Sequence, residues 1–130
     1  MLFRKLHVLA AIALGVLFSA CGSSMPSNPA DTITISSYSY SPGNLAVKPG
    51  TTITVVNEDS VAHTLTSQSA TGNFSKGAVS GIEFDTGSFT GTTSFTIPST
   101  ATAGTVIPYF CTIHRSMMGQ GQITILAPSP

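Results

Sequence analysis

The sequence predicts an all-β domain, a sandwich or barrel of short strands. Three observations carry that reading. Gly, Ser, Thr and Pro are abundant, and no long stretch repeats its apolar residues at the helical period of about 3.6. Short segments alternate apolar and polar residues with period two. Turn-forming clusters separate those segments at intervals that suit a sandwich or barrel. A length of 130 residues suits one domain.

Residues 1–20 read as a signal peptide. Arg4 and Lys5 give it a positive start, and Val8 to Phe18 is an apolar run of 11 residues, too short to span a bilayer comfortably. Small residues Ser19 and Ala20 precede Cys21. The stretch Leu17-Phe18-Ser19-Ala20-Cys21 resembles a bacterial lipobox, which implies cleavage before Cys21 and lipidation of that cysteine. Several acyl chains on one residue anchor it stably, because each buried methylene contributes about 0.8 kcal/mol. An ordinary signal peptide cut nearby, or an uncleaved anchor, is the alternative. Residues 21–30 are then the lipidated cysteine and a polar, Pro-containing flexible tether.

The folded domain is expected over residues 31–127, with a disordered tail at 128–130. Thr32-Ile33-Thr34-Ile35 opens it with clear alternation, and Thr51 to Val55 repeats the pattern. Phe95-Thr96-Ile97 and Gln122-Ile123-Thr124-Ile125 are the later strand candidates. Ser41-Pro42-Gly43-Asn44, Pro49-Gly50 and Asn57-Glu58-Asp59-Ser60 read as turns. Ser67 to Gly81, rich in Ser, Gly and Ala, reads as a long surface loop.

Five basic and five acidic residues balance, so no basic patch points to nucleic acid. Removal of residues 1–20 leaves Lys48, Lys76 and Arg115 against Asp31, Glu58, Asp59, Glu83 and Asp85. That mild acidic bias names no partner. Asp85 and Glu58 read as solvated loop residues without chemistry.

The chemistry concentrates in Cys111-Thr112-Ile113-His114-Arg115-Ser116-Met117-Met118. If Cys21 carries lipid, Cys111 is a lone thiol in an exported protein, and a metal is a good reason for one. Cys and His three apart, on a loop leaving a strand, can bend around one ion. A thiolate, two imidazoles and a weak thioether make a trigonal site with a long axial ligand, which suits copper in electron transfer. His63 is the remaining candidate for the second imidazole once residues 1–20 are removed. Taken singly, His63 could be a hydrogen-bonded strand residue, Cys111 a buried small hydrophobe, and Met117 or Met118 plain packing.

Read together, these residues resemble the plastocyanin/azurin family of cupredoxins, its amicyanin-type members most of all. Tyr40-Ser41-Pro42 and Leu45-Ala46-Val47-Lys48-Pro49-Gly50 are similar to the family's first strands. Thr52 to Asp59 leads to Val61-Ala62-His63-Thr64, like the segment before the family's first histidine ligand. Phe84-Asp85-Thr86-Gly87 resembles a mid-chain element. Tyr109-Phe110-Cys111-Thr112-Ile113-His114 followed by Met117 matches the ligand loop, and Gly121 to Ile125 looks like the closing strand. The likeness covers about residues 31–127. The chain departs from the pattern in lacking Trp and in following Met117-Met118-Gly119 with Gln120-Gly121-Gln122, an apparent two-residue extension.

The resemblance implies a Greek-key β-sandwich of about seven to eight strands. It implies one copper ion, Cu(I)/Cu(II), on His63, Cys111, His114 and Met117, with Met118 as the alternative axial ligand. It also implies a backbone N–H at Thr64 pointing at the thiolate, and electron transfer through His114. An apolar docking patch would include Ile113, Met117 or Met118, and residues around Pro42. The expected function is a type 1 (blue) copper electron carrier, not an enzyme, at the outer face of a bacterial membrane. It would be a monomer that meets a haem or copper redox protein. A copper chaperone or buffer is the alternative. A copper enzyme would need further histidines for a second site, and a Cys-His-His zinc site with water would leave the methionine at axial spacing unexplained.

Overall fold

The structure is a computed structural model that describes residues 29–130. The signal peptide, Cys21 and nearly all of the tether lie outside the described residues. No helix among the described residues is long and apolar enough to cross a membrane.

A short 3-10 turn, Pro29–Asp31, leads into eight strands: β1 (Thr32–Ser36), β2 (Ser39–Ser41), β3 (Asn44–Val47), β4 (Thr52–Asn57), β5 (Thr66–Ser67), β6 (Gly91–Thr96), β7 (Val106–Phe110) and β8 (Gly121–Ile125). They form two four-stranded sheets, ordered β2-β1-β4-β6 and β3-β8-β7-β5. Each sheet holds one parallel pair, β1 with β4 and β3 with β8; the other pairings are antiparallel. The chain changes sheets between β2 and β3 across only Pro42 and Gly43. It changes again between β4 and β5, and that second crossing carries His63.

Alternation explains which face of each strand turns inward. Ile33 and Ile35 of β1, Ile53 and Val55 of β4, Leu45 and Val47 of β3, and Ile123 and Ile125 of β8 fill the space between the sheets. The intervening threonines face outward, where their β-branched side chains still suit a pleated surface. At the edge, β6 reads weakly in sequence because Thr92, Thr93 and Ser94 replace the apolar alternation, and only Phe95 packs against the core.

Most of Ser67 to Gly81 is the surface loop expected, but its first two residues are not. Ser67 ends β5 and pairs with Tyr109, while Ser67 and Gln68 are fully buried. Polar side chains survive there because they are satisfied. The Ser67 hydroxyl donates to the Phe84 carbonyl at 3.1 Å. Gln68 Oε1 accepts from Phe74 N–H at 2.9 Å, and Gln68 Nε2 donates to Gln120 Oε1. Composition alone hides such a segment, because its burial is secured by hydrogen bonds and not by apolar residues.

Close packing makes one glycine obligatory. Gly121 pairs with Tyr109 across β7 and β8, and an added Cβ would collide with the Tyr109 ring. That ring is fully buried and has nowhere to go. Gly121→Ala should therefore destabilise the fold by about 1–3 kcal/mol, read as a lower urea midpoint with an unchanged slope. Tyr109→Phe should leave the midpoint equal or higher, because its buried hydroxyl has no partner among the described residues.

Candidate metal centre

The site forms where the β4–β5 crossing meets the loop after β7. The crossing is shaped by Asn57, the last residue of β4. Its Oδ1 accepts from Asp59 N–H at 3.0 Å, and its Nδ2 donates to the carbonyls of Val61 (2.9 Å) and Phe89 (3.2 Å). His63 then exchanges two backbone hydrogen bonds with Phe89, at 3.1 and 3.0 Å. The fully buried imidazole is thereby aimed between the sheets. From the other side, the antiparallel ladder of β7 delivers Cys111 immediately after Phe110, also buried. His114 follows, partly exposed.

These three side chains converge. His114 Nδ1 lies 3.2 Å from His63 Nδ1 and 3.6 Å from Cys111 Sγ, and Cys111 Sγ lies 3.8 Å from His63 Nδ1. A point equidistant from those corners lies about 2 Å from each, close to the bond length of a first-row ion to imidazole or thiolate. One soft sulfur and two imidazole nitrogens are the donor set that suits copper.

Thr64 joins the two segments. Its N–H points at Cys111 Sγ at 3.4 Å, the contact the resemblance implies. Its hydroxyl accepts from Thr112 N–H at 2.8 Å. Its carbonyl accepts from the Tyr40 hydroxyl at 2.7 Å. Burial, reinforced by Cys111 and then Tyr109 nearby, pushes the Tyr40 pKa up, so the phenol stays a donor. The Thr64, Thr66 and Thr112 hydroxyls form a chain, at 3.1 and 3.2 Å, that ends on Asp85 Oδ1 at 3.0 Å from Thr66. Asp85 is exposed, as read from sequence, and its carboxylate also braces the ligand segment.

Asp59 was not anticipated. Its Oδ2 lies 2.9 Å from His63 Nε2, the nitrogen turned away from the cluster. The same carboxylate accepts from Ser37 N–H at 2.7 Å and Tyr38 N–H at 3.0 Å. The Tyr38 N–H above all, helped by Ser37 and His63, holds the Asp59 carboxyl below the usual carboxylate range. A carboxylate four residues before a ligand histidine, in a turn, was the available clue.

The methionines part company. Met117 and Met118 N–H groups both donate to the His114 carbonyl, at 3.0 and 2.9 Å, and the adjacent side chains diverge from that turn. Met117, placed at the site by the sequence expectation, is 67% exposed; Met118 is 5% exposed and sits in the core cluster that includes Cys111.

The comparisons with known proteins agree with this geometry. Residues 30–126 match the sequence model of the copper binding proteins, plastocyanin/azurin family. The chain belongs to that family. It is a cupredoxin in fold and in its copper-binding donor set. Among solved structures it is similar to a purple cupredoxin from Nitrosopumilus maritimus (26% identity, TM-score 0.51, covering 72% of this chain and 97% of that one). It shares its fold with the oxidised form of a methionine-to-leucine mutant of amicyanin (22% identity, TM-score 0.56, 75% and 83% covered). It also shares its fold with a copper-containing nitrite reductase from Thermus scotoductus SA-01 (23% identity, TM-score 0.55), matching 75% of this chain but only 22% of that much longer one. A search of curated protein sequences finds no significant match.

Because Asn57 bonds three backbone groups at the base of the His63 segment, Asn57→Ala should lower the stability of the metal-free protein by about 1–3 kcal/mol. Equilibrium denaturation monitored by circular dichroism measures this; an unchanged midpoint would show that those groups are satisfied otherwise.

Proposed function

We propose that this cupredoxin is a single-electron carrier and not an enzyme, working at the outer face of a bacterial membrane to which Cys21 is lipid-anchored. The observation that carries the reading is the compact triangle of His63, Cys111 and His114. His63, Cys111 and His114 would hold copper there, and the bound metal would supply one-electron chemistry between its cupric and cuprous states. The described residues supply one such cluster and no third histidine, which supports a carrier over a catalyst with a second metal site.

The residues around the triangle have separable tasks. Buried Cys111 and His63 hold fixed positions, so little rearrangement accompanies a change of charge. The Thr64 N–H points at the sulfur, a contact that tunes a thiolate ligand. Met118, being inward, would be the better placed of the two methionines to offer a thioether, with Met117 as the alternative. His114 is the ligand nearest solvent, and exposed Ile113 and Met117 flank it. That apolar rim suits the small, quickly released interfaces of electron-transfer encounters, with a haem or copper protein as partner and this chain as a monomer. Residues 22–30 would give the anchored domain reach.

Copper titration of the full chain in detergent, read by visible absorption and electron paramagnetic resonance, tests the centre. One equivalent should produce an intense thiolate-to-copper band with narrow hyperfine splitting. A colourless protein would overturn the reading and point to zinc or a cuprous store. Met118→Gln should shift both spectra while Met117→Gln leaves them unchanged; the reverse result would restore Met117 as the axial ligand.

A further inference from the structure

The turn between β1 and β2 has an unfavourable sequence for its shape. The register pairs Ser36 with Ser39, so Ser37 and Tyr38 form a two-residue loop. Both have positive φ, 51° and 58°. Such turns favour Asn-Gly or Gly-Gly, because an L side chain disfavours the left-handed region. A Ser-Tyr pair persists there only if something else holds it.

Asp59 is what holds it. Its two oxygens take the N–H groups of Ser37 and Tyr38, and the oxygen bonded to Tyr38 is the one facing His63 Nε2. His63 Nδ1 faces Cys111 and His114, so with a metal on Nδ1 the Nε2–H would be the donor to the carboxylate. One side chain therefore fixes a ligand imidazole and a strained turn together. The consequence is the position of Tyr38. Its half-buried ring meets His63 edge-on, with centroids 5.3 Å apart and planes at 86°. It meets His114 in the same way, at 5.0 Å and 85°. The two imidazoles lie 4.8 Å apart, so the three rings form a nearly equilateral group.

We propose that Asp59 and Tyr38 are positioning residues that preorganise the copper site: Asp59 seats the Tyr38 ring against both ligand imidazoles and fixes their orientation. The inference rests on the copper-centre reading and adds to it. His114 hangs on a loop, and among the described residues its ring meets no aromatic neighbour other than Tyr38 and His63. Without Tyr38 it would lose its lateral support. The Asp59 carboxylate has a second effect through His63: an acceptor on the outer nitrogen makes a ligand imidazole a stronger donor and favours the more highly charged metal state.

The test uses the full chain loaded with copper and compares Asp59→Asn, Asp59→Ala, Tyr38→Phe and Tyr38→Ala with the wild type. Competition against a copper chelator should show an affinity loss of roughly 10–100-fold in Asp59→Ala. Tyr38→Ala should share much of that loss although Tyr38 supplies no ligand, and Tyr38→Phe should keep wild-type affinity because the ring alone is required. Asp59→Asn should raise the reduction potential. The Asp59→Ala/Tyr38→Ala double variant should lose less than the two single losses combined, as expected of residues acting as a unit. Wild-type affinity and unaltered hyperfine splitting in Tyr38→Ala would overturn the role of the ring. A potential unchanged in Asp59→Asn would overturn the role of the carboxylate. A wild type that binds no copper would sink the copper-centre reading and this inference with it, an outcome separate from variants that match a copper-loaded wild type.

Discussion

Hydrogen bonds at Thr64 hold the two ligand segments at a fixed separation and tie them to β2, and the rest of the site depends on them. Residues 63 and 111 are distant in sequence and reach the site from different strands, so their spacing has to be imposed by a third group. The Thr64 N–H meets the Cys111 sulfur, its hydroxyl takes the Thr112 amide, and its carbonyl takes the Tyr40 phenol from β2. Each bond is modest alone, about 1 kcal/mol net. Their value lies in direction: Thr64 is buried, so any slip of one segment leaves a polar group unsatisfied at a larger cost. A site that must change charge without changing shape is best built on contacts of this kind.

Much of this was legible in the sequence. Alternation in Thr32–Ile35 and Gln122–Ile125 marked strands that do lie in the core, and the cluster from Cys111 to Met118 marked the ligand loop. Local pattern is enough for such features, because period-two burial and a loop of donors are written in consecutive residues. The features that escaped are those in which partners are far apart. Asp59 looked like one more acidic turn residue until the fold set it against residues 37 and 38. Ser67 and Gln68 looked solvent-facing because their burial depends on Phe84, Phe74 and Gln120. No single-sequence rule supplies such pairings.

The burial of the adjacent methionines is a sharper case. Cys111 and His114 fix the loop's start, and spacing alone offered Met117 first. Register in a tight turn is decided by backbone hydrogen bonds, and here the His114 carbonyl receives the amides of both Met117 and Met118. A one-residue difference exchanges an outward side chain for an inward one, as a slip does in a strand. Neighbouring letters in the sequence do not show which of the two side chains is buried; the fold does.

The segment after the methionines is not slack. Gln120 Oε1 accepts from both Gln68 Nε2 and the Gly72 amide, the latter at 2.8 Å, tying the end of the ligand loop to the segment after β5. The next residue, Gly121, is pinned beneath the Tyr109 ring on β7. The loop is thus held at its start by Thr64, at its middle by the shared His114 carbonyl, and at its end by Gln120 and Gly121. With both ends fixed, Met118 has little freedom to swing outward. The buried Gln68 thus anchors the segment that follows the methionines. The end of the ligand loop and the buried polar residues after β5 are therefore one connected feature of the fold, and neither shows that connection when read alone.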